Sequence, residues 1–224
     1  MNNEFLQTLL LTAKLASVTT ICLLLIGVPI AYGLFLMRSK SKAFLEAIVS
    51  LPLILPPTVL GFYLLLLFGQ DGPIGSWLLD QFDVSLVFTF QGLVLGSIIY
   101  SLPFMVQPIQ AGLESLPSYL TEASYVLGKT KIQTFFKVLL PNINPSILTG
   151  IVLSFAHTVG EFGVILMIGG NIPGRTKVAS IAVYDEVEQL NYAAAHQYSL
   201  ILLFFSFLIL SAVYWLNKRK QIRL

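Results

Sequence analysis

Residues 15–37 read LASVTTICLLLIGVPIAYGLFLM, a stretch of 23 residues without a charged side chain. A helix needs about 20 apolar residues to cross the hydrocarbon core of a bilayer. Arg38 comes directly after the stretch, whereas a removable signal peptide ends in small residues at its cleavage site. The stretch therefore predicts a membrane-spanning helix near the amino terminus.

The composition of the whole chain agrees with this prediction. Hydrophobic residues make up 56% of the 224 residues and charged residues only 11%. Soluble domains carry about 25% charged residues, so this chain cannot cover a water-facing surface. The net charge of +2 gives no basic surplus for nucleic acid, and one cysteine, Cys22, cannot form a disulfide within the chain. We therefore expect a protein embedded in lipid.

Four further stretches are long and apolar enough to cross a bilayer. They are residues 47–70, 84–113, 138–160 and, within a polar-flanked segment, 189–217. Runs of this length without strict alternation indicate helices, which satisfy their own backbone hydrogen bonds in lipid. The sequence therefore predicts an all-α integral membrane protein with five transmembrane helices.

The positions of lysine and arginine predict the orientation of these spans. With five spans, ten basic residues lie on one side and three on the other. Cytoplasmic loops carry the excess of basic residues, so the amino terminus is expected outside and the carboxyl terminus in the cytoplasm, with the chain in the cell's inner membrane. The ten residues are Arg38, Lys40, Lys42, Lys129, Lys131, Lys137, Lys218, Arg219, Lys220 and Arg223; the three are Lys14, Arg175 and Lys177.

The loop at residues 114–141 contains signals for two short helices. Pro117 suits the first turn of a helix, and Gly128 suits the left-handed position just beyond its end. Thr130 and Gln133 have the spacing of a capping box that opens a second helix, which Pro141 is expected to close. The sequence predicts two helices meeting at an elbow on the cytoplasmic face. An amphipathic hairpin resting on lipid headgroups is the alternative.

Within this loop, the triplet Glu122-Ala123-Ser124, the glycine Gly128 and the segment Val138-Leu-Leu-Pro141 resemble the cytoplasmic "EAA" loop of ATP-binding-cassette importer permeases. The chain departs from that pattern at Ser124, where the family has alanine, and at Val138, where it has isoleucine. The resemblance implies a type I importer (MetI-like) fold with coupling helices that dock on an ATPase subunit. Glu122, Ala123 and Gly128 would form that contact.

Other segments narrow the resemblance. LPLILPPTVLG at residues 51–61 and SLPFMV at 101–106 resemble segments of molybdate permeases, and HTVGEFG at 157–163 and GNIPGRT at 170–176 resemble segments of molybdate and sulfate permeases. The resemblance implies that residues 1–224 form one transmembrane domain, the permease subunit of an ATP-driven molybdate importer. It also implies a homodimer, a partner ATPase dimer and an extracytoplasmic molybdate-binding protein. Sulfate, thiosulfate or tungstate remains the alternative substrate, although five spans favour molybdate over sulfate.

Two groups of residues are candidates for the pathway or its gate. A carboxylate at membrane depth costs about 3 kcal/mol, so Glu161, flanked by Gly160 and Gly163, is either a pathway element or a carboxyl satisfied by nearby helix ends. Adjacent prolines break helices, which makes residues 56–58 (Pro56, Pro57 and Thr58) candidates to shape a cavity.

We expect neither a catalytic nor a metal site. His157 lies four residues before Glu161 on the same helical face, but no further residues complete a metal or acid–base set. An intramembrane enzyme is therefore the weaker alternative from another class. The sequence has no Gly-x-x-x-x-Gly-Lys-Ser/Thr loop, so no cofactor is expected on this chain, and ATP and Mg²⁺ are assigned to the partner ATPase.

Overall fold

The computed structural model describes residues 3–221, with side chains described as far as residue 211. The described residues are all-α, and a π-helical turn, Phe135–Leu139, lies between α7 and α8. In chain order the helices are α1 (Asn3–Leu36), α2 (Ser41–Ile54), α3 (Pro57–Phe68), α4 (Pro73–Phe82), α5 (Phe90–Glu114), α6 (Ser118–Val126), α7 (Lys131–Thr134), α8 (Leu140–Asn142), α9 (Asn144–Gly160), α10 (Gly163–Gly169), α11 (Ala179–Glu188) and α12 (Tyr192–Gln221).

Three of these helices are long and apolar enough to cross a membrane by themselves: α1, α5 and α12. Two bent pairs also qualify when each is taken as one span, α2 with α3 and α7–α8 with α9. The all-α membrane fold is therefore confirmed, with five spans when both bent pairs are counted. The basic side chains predicted after the fifth span, residues 218–223, lie outside the described side chains.

The second span is bent by 109° between α2 and α3. Leu55 and Pro56 have extended backbone angles, with ψ of 136° and 133°. The residue before a proline is pushed out of the helical region, and proline offers no N–H to continue the helix. Two successive prolines therefore end α2, and Pro57 then starts α3 at a position where no N–H is needed.

The fourth span is bent by 74° between α8 and α9. The expectation that Pro141 closes the second short helix is wrong, because helical structure continues through Pro141 to Asn142 and the break comes at Ile143. The π-helical turn ends at Leu139, two residues before Pro141, and its wider winding accommodates a residue without an N–H. The Asn142 side chain also donates to the Val138 carbonyl at 2.6 Å.

The centre of the bundle is the junction of α1, α5 and α9. A Cβ on Gly27 would lie 2.7 Å from Met105 Cγ, and a Cβ on Gly150 would lie 3.1 Å from Met105 Sδ. Small residues thus let these backbones approach, as is usual between helices in lipid. On the outside, Leu25 and Phe207 expose 71% and 70% of their surface, which is consistent with a lipid-facing exterior.

Polar side chains join the helices at both ends of the bundle. At one end, which we call the loop end because it carries residues 114–142, Lys42 of α2 pairs with Glu114 of α5 at 2.7 Å. At the opposite end, the far end, Lys177 pairs with Asp185 at 2.9 Å and with Glu4 at 3.5 Å. The first pair joins α2 to α5, and the other two join residue 177 to α11 and to α1.

Candidate functional site

The first candidate site is the elbow, which we define as residues 118–134, with α6, the turn after it and α7. Gly128 has φ of +74°, so the predicted left-handed position is confirmed. The N–H of Gly128 donates to the Tyr125 carbonyl at 2.9 Å, and that of Lys129 donates to the Ser124 carbonyl at 3.1 Å. This pair of bonds is the Schellman motif that ends helices at glycine.

A capping box and one side-chain bond hold the second arm of the elbow. Thr130 accepts from the Gln133 N–H and Gln133 accepts from the Thr130 N–H, as the sequence predicts. Ser124 is 3% exposed, and its hydroxyl lies 2.8 Å from the Thr134 hydroxyl. The serine that departs from the Glu-Ala-Ala pattern therefore joins α6 to α7.

One side of the elbow is anchored in the bundle and the other side is free. Phe135, directly after the elbow, is buried, and its ring lies 4.2 Å from that of Tyr32. The candidates Glu122 and Ala123 are exposed, and Val126 and Leu127 expose 87% and 76% of their surface. An exposed carboxylate beside exposed apolar side chains at the loop end is a surface suited to another protein.

The second candidate site is a cavity of about 410 Å³, which we call the break cavity because it lies between the α2–α3 break and the α9–α10 break. Five of the six pathway candidates line it, whereas Pro56 does not and only caps α3. Its lining residues are Pro57, Thr58, Tyr100, Ala156, His157, Gly160, Glu161, Phe162 and Gly163.

The three glycines near this cavity have different surroundings. A Cβ on Gly163 would lie 2.7 Å from Pro57 Cβ and 3.2 Å from the Thr58 backbone nitrogen. A Cβ on Gly61 would lie 2.8 Å from Met167 Cβ, so α3 and α10 pack closely along their length. A Cβ on Gly160 would meet no described atom within 4 Å. The close approach of the first turn of α3 to the first turn of α10 therefore requires glycine at residue 163 and does not require it at residue 160.

Glu161 is 3% exposed and lies at the α9–α10 break. Its carbonyl accepts a hydrogen bond from the Ser180 hydroxyl. Neither carboxyl oxygen has accessible surface or a hydrogen-bond partner among the described residues, although the Ser97 side chain lies beside them. The neighbouring helix ends thus do not bind the carboxyl, and Glu161 lines the cavity through its other atoms.

A hydrogen-bonded chain next to the cavity was not predicted. His157 Nδ1 lies 2.9 Å from the Ser101 hydroxyl, and the His157 ring stacks on Phe104 with centroids 4.1 Å apart. Tyr100 is tilted against the same ring at 4.7 Å. The sequence does not predict the contact between Ser101 and His157, because the two residues are on different spans and only the packing of those spans brings them together.

At the far end, neighbouring polar and charged groups shift the pKa values of Asp185 and Lys177. Burial alone would raise the pKa of Asp185, but hydrogen bonds from Asn171 and Lys177 outweigh it and hold that pKa below its usual value. Burial alone would lower the pKa of Lys177, but Asp185 and Glu4 together hold it above its usual value. The pair is therefore charged at neutral pH and fastens the loop at residues 170–177 to α11 and α1.

Comparison with known proteins gives consistent matches over nearly the whole chain. A family model described as "Binding-protein-dependent transport system inner membrane component" matches residues 23–222. The "Molybdenum transport system permease protein ModB" of Azotobacter vinelandii is 49% identical over 211 residues, which cover 93% of this chain and 92% of that protein. The "Sulfate transport system permease protein CysT" of Escherichia coli K12 is 35% identical over 193 residues, covering 86% of this chain and 69% of that one.

A solved structure has the same fold. It is a bacterial alginate ABC transporter in complex with an alginate pentasaccharide-bound periplasmic protein. The TM-score is 0.80 at 18% identity, with 98% of this chain and 80% of that chain covered. At this identity the likeness shows the fold alone.

Proposed function

Because this chain belongs to the family of binding-protein-dependent transport system inner membrane components, we propose that it is the permease subunit of an ATP-driven molybdate importer. The observation that carries the proposal is the 49% identity to a molybdenum permease over nearly the full length of both chains. The sulfate permease is less similar, at 35%, and is matched over only 69% of its length. Sulfate, thiosulfate or tungstate is the alternative substrate.

The orientation is part of the proposal. The loop end faces the cytoplasm, and the far end, with α4, α11 and the amino terminus, faces outward. The ten-to-three division of basic residues supports this orientation, since basic residues concentrate in cytoplasmic loops. A reporter fused after Leu224 is then cytoplasmic and one inserted near Asp80 is outside; a cytoplasmic reporter at Asp80 would contradict the orientation.

The elbow is the docking surface for the ATPase subunit. Glu122, Ala123 and the turn at Gly128 contact the partner, and the exposed Val126 and Leu127 lie beside them. The rigid Schellman turn and the Ser124–Thr134 bond support this role, because a coupling element must transmit movement without bending. ATP and Mg²⁺ bind to the partner, and this chain is a permease rather than an enzyme.

Two copies of the chain form the pathway, and the break cavity opens onto it. Helix breaks in transport proteins occur where the backbone lines a water-filled cavity, which supports this placement of the two breaks. Pro56, Pro57, Thr58, Gly160, Glu161 and Gly163 are the candidates for its gate. An extracytoplasmic binding protein delivers the anion at the far end, and closure of the ATPase dimer turns the pathway outward to receive it.

Ion selection belongs mainly to the binding protein. The described residues lining the break cavity include no lysine or arginine, so nothing fixed there holds a dianion tightly. An anion that is held only by weak contacts can leave the cavity as well as enter it. A site of fixed donors outside the membrane discriminates better between two tetrahedral dianions, because a misfit leaves donors unpaired at about 1–3 kcal/mol each.

The test uses the complete complex in proteoliposomes with its binding protein and labelled molybdate. The proposal expects molybdate uptake that requires ATP hydrolysis and that excess sulfate inhibits weakly. The matched control carries an ATPase subunit that binds ATP without hydrolysing it. Uptake of sulfate in preference to molybdate with the same binding protein would contradict the assignment of substrate. ATP-independent uptake would contradict the assignment to an ATP-driven importer.

A further inference from the structure

The protons in the hydrogen-bonded chain beside the break cavity can be assigned by counting. The Thr158 hydroxyl donates to the Ser154 carbonyl at 2.9 Å, which uses its single proton. The Ser101 hydroxyl lies 3.2 Å from the Thr158 oxygen and 2.9 Å from His157 Nδ1. All three contacts are hydrogen bonds only if Ser101 donates to Thr158 and His157 Nδ1–H donates to Ser101. The ring tautomer is assigned on this basis.

This assignment determines the protonation state of the other ring nitrogen, Nε2. His157 lines the break cavity, and its Nε2 bonds to no described residue. In the neutral ring with Nδ1–H, Nε2 carries a lone pair and repels an oxyanion. A proton added at Nε2 turns the same ring into a donor without disturbing the chain to Ser101, because Nδ1–H remains a donor in both forms.

Two aromatic rings and one carboxyl group lie near the His157 ring. The ring centroids of Phe104 and Tyr100 lie 4.1 Å and 4.7 Å from that of His157, with Phe104 stacked and Tyr100 tilted, and aromatic rings attract a cation that lies over them. The titratable groups that line the cavity with His157 are Tyr100 of α5 and Glu161 at the end of α9; α3 and α10 contribute none among the described lining residues. Both Glu161 oxygens lack accessible surface, so a dianion in the cavity meets His157 rather than the carboxylate.

We propose that His157 is a ligand of the transported oxyanion, which it binds through Nε2–H after taking up one proton. The proton comes from water or arrives on the oxyanion, and it leaves Nε2 when the anion departs. The ring then returns to its Nδ1–H form, which repels the anion and assists release. Thr58 lines the same cavity, and its hydroxyl is the candidate for a second donor. This inference rests on the proposed function, since it requires that a tetrahedral oxyanion enters the cavity.

The protonation state can be read without measuring transport. The chain has two histidines, so His196→Gln, at an exposed position, leaves His157 as the only one. We would label the permease with ¹⁵N-histidine, assemble it with unlabelled partners in lipid, and record nitrogen spectra with and without a high concentration of molybdate. The expected result is an Nδ1–H neutral ring without molybdate and a doubly protonated ring with it. An Nε2–H ring, or a spectrum that molybdate does not change, would overturn the proposal.

Transport by matched variants gives a second test. The amide of glutamine in His157→Gln reaches the position of Nε2, whereas that of asparagine in His157→Asn reaches only the position of Nδ1. Because one charge-assisted bond to the anion is lost, His157→Asn is expected to reduce uptake about tenfold, and His157→Gln less. ATP hydrolysis and the melting temperature of the assembled complex are measured alongside. Equal uptake by His157→Asn and the parent complex would contradict the proposal.

The pH profile separates a ligand from a packing residue. The uptake of the parent complex is expected to fall as the pH is raised, relative to that of His157→Arg, whose cation is permanent. Both complexes share the same ATPase and binding protein, so the ratio isolates residue 157. A ratio independent of pH would overturn the proposal while leaving the importer function in place.

If the parent complex takes up sulfate instead of molybdate, the proposed substrate is wrong. The ratio of uptake by the parent complex to uptake by His157→Arg, measured with sulfate, then decides the role of His157.

Discussion

The elbow and the break cavity both depend on glycine, but for opposite reasons. At the elbow, a Cβ on Gly128 would meet no described atom within 4 Å, and the residue is glycine because its φ is +74°. At the cavity, Gly163 lies in ordinary helix, and a Cβ there would lie 2.7 Å from Pro57 Cβ. At the exposed elbow, the backbone angle determines that residue 128 is glycine. At the cavity, the short distance between packed helices determines that residue 163 is glycine.

This difference separates two kinds of damage. We expect a change at the elbow to leave the bundle intact and to alter only the exposed surface of the elbow. A change at the junction of α3 and α10 forces the two helix breaks apart and disturbs the fold around the cavity. Substitutions at matched positions can therefore show whether the two regions have the separate roles that their geometry indicates.

The largest effect is expected for Gly163→Val. Its side chain would overlap Pro57 and approach the Thr58 backbone nitrogen, and neither backbone segment can move without shifting α3. Overpacking of this kind costs about 1–3 kcal/mol and often more where backbone must move. We expect a strong loss of folded, assembled complex, measured by size-exclusion chromatography and thermal unfolding in detergent.

Gly160→Ala is the matched control for that substitution. Residue 160 lines the same cavity three positions earlier, but an added Cβ meets no described atom within 4 Å. Alanine also favours helix over glycine by about 1 kcal/mol. We expect parental or slightly higher stability. Equal losses of stability for both variants would show that the close approach of α3 and α10 is not what residue 163 provides.

Gly128→Val is expected to have the next largest effect, and on coupling rather than folding. A branched residue in the left-handed region costs about 1–2 kcal/mol, so the Schellman turn shifts while the spans stay in place. Uptake of molybdate should fall sharply while the dimer remains assembled, and ATPase subunits should dissociate or hydrolyse ATP without transport. Gly128→Asn, which tolerates this conformation, should retain most of the uptake. Normal uptake by both Gly128→Val and Glu122→Arg would exclude the elbow as the docking surface.

The smallest effect is expected for Ser124→Ala. The change removes the bond that joins α6 to α7 and leaves the buried Thr134 hydroxyl without that partner, at a cost of about 1 kcal/mol. A double-mutant cycle with Thr134→Ala isolates the bond, since the double variant has neither partner. Additive losses of stability and coupling would indicate that the two hydroxyls act independently.

The sequence predicted the spans and the elbow well because both depend on local signals. Uncharged runs indicate helices in lipid, and Gly128, Thr130 and Gln133 each mark a helix end by their own chemistry. The end of the second short helix was predicted wrongly, because Pro141 alone indicates a stop. Only the structure reveals the π-helical turn that lets the helix continue to Asn142.

The cavity was predictable only in part. Thr58 and Glu161 were singled out by adjacent prolines and by an isolated carboxyl, and both line the cavity. The chain from His157 through Ser101 to Thr158 was not predicted, because it depends on how α5 packs against α9 across more than 50 residues of sequence. Hydroxyl residues in apolar helices carry no signal of their partners until that packing is known.

If the elbow controls access to the break cavity, the state of the elbow must change the reactivity of residue 58, and labelling at Thr58 tests this most directly. In a Cys22→Ser background, Thr58→Cys places one thiol at the cavity, and an impermeant thiol reagent is added from outside to the assembled complex. We expect faster labelling with trapped ATP than without nucleotide, and no such difference when Gly128→Val is added. A labelling rate independent of nucleotide in the parent background, or a difference that survives Gly128→Val, would contradict the claim.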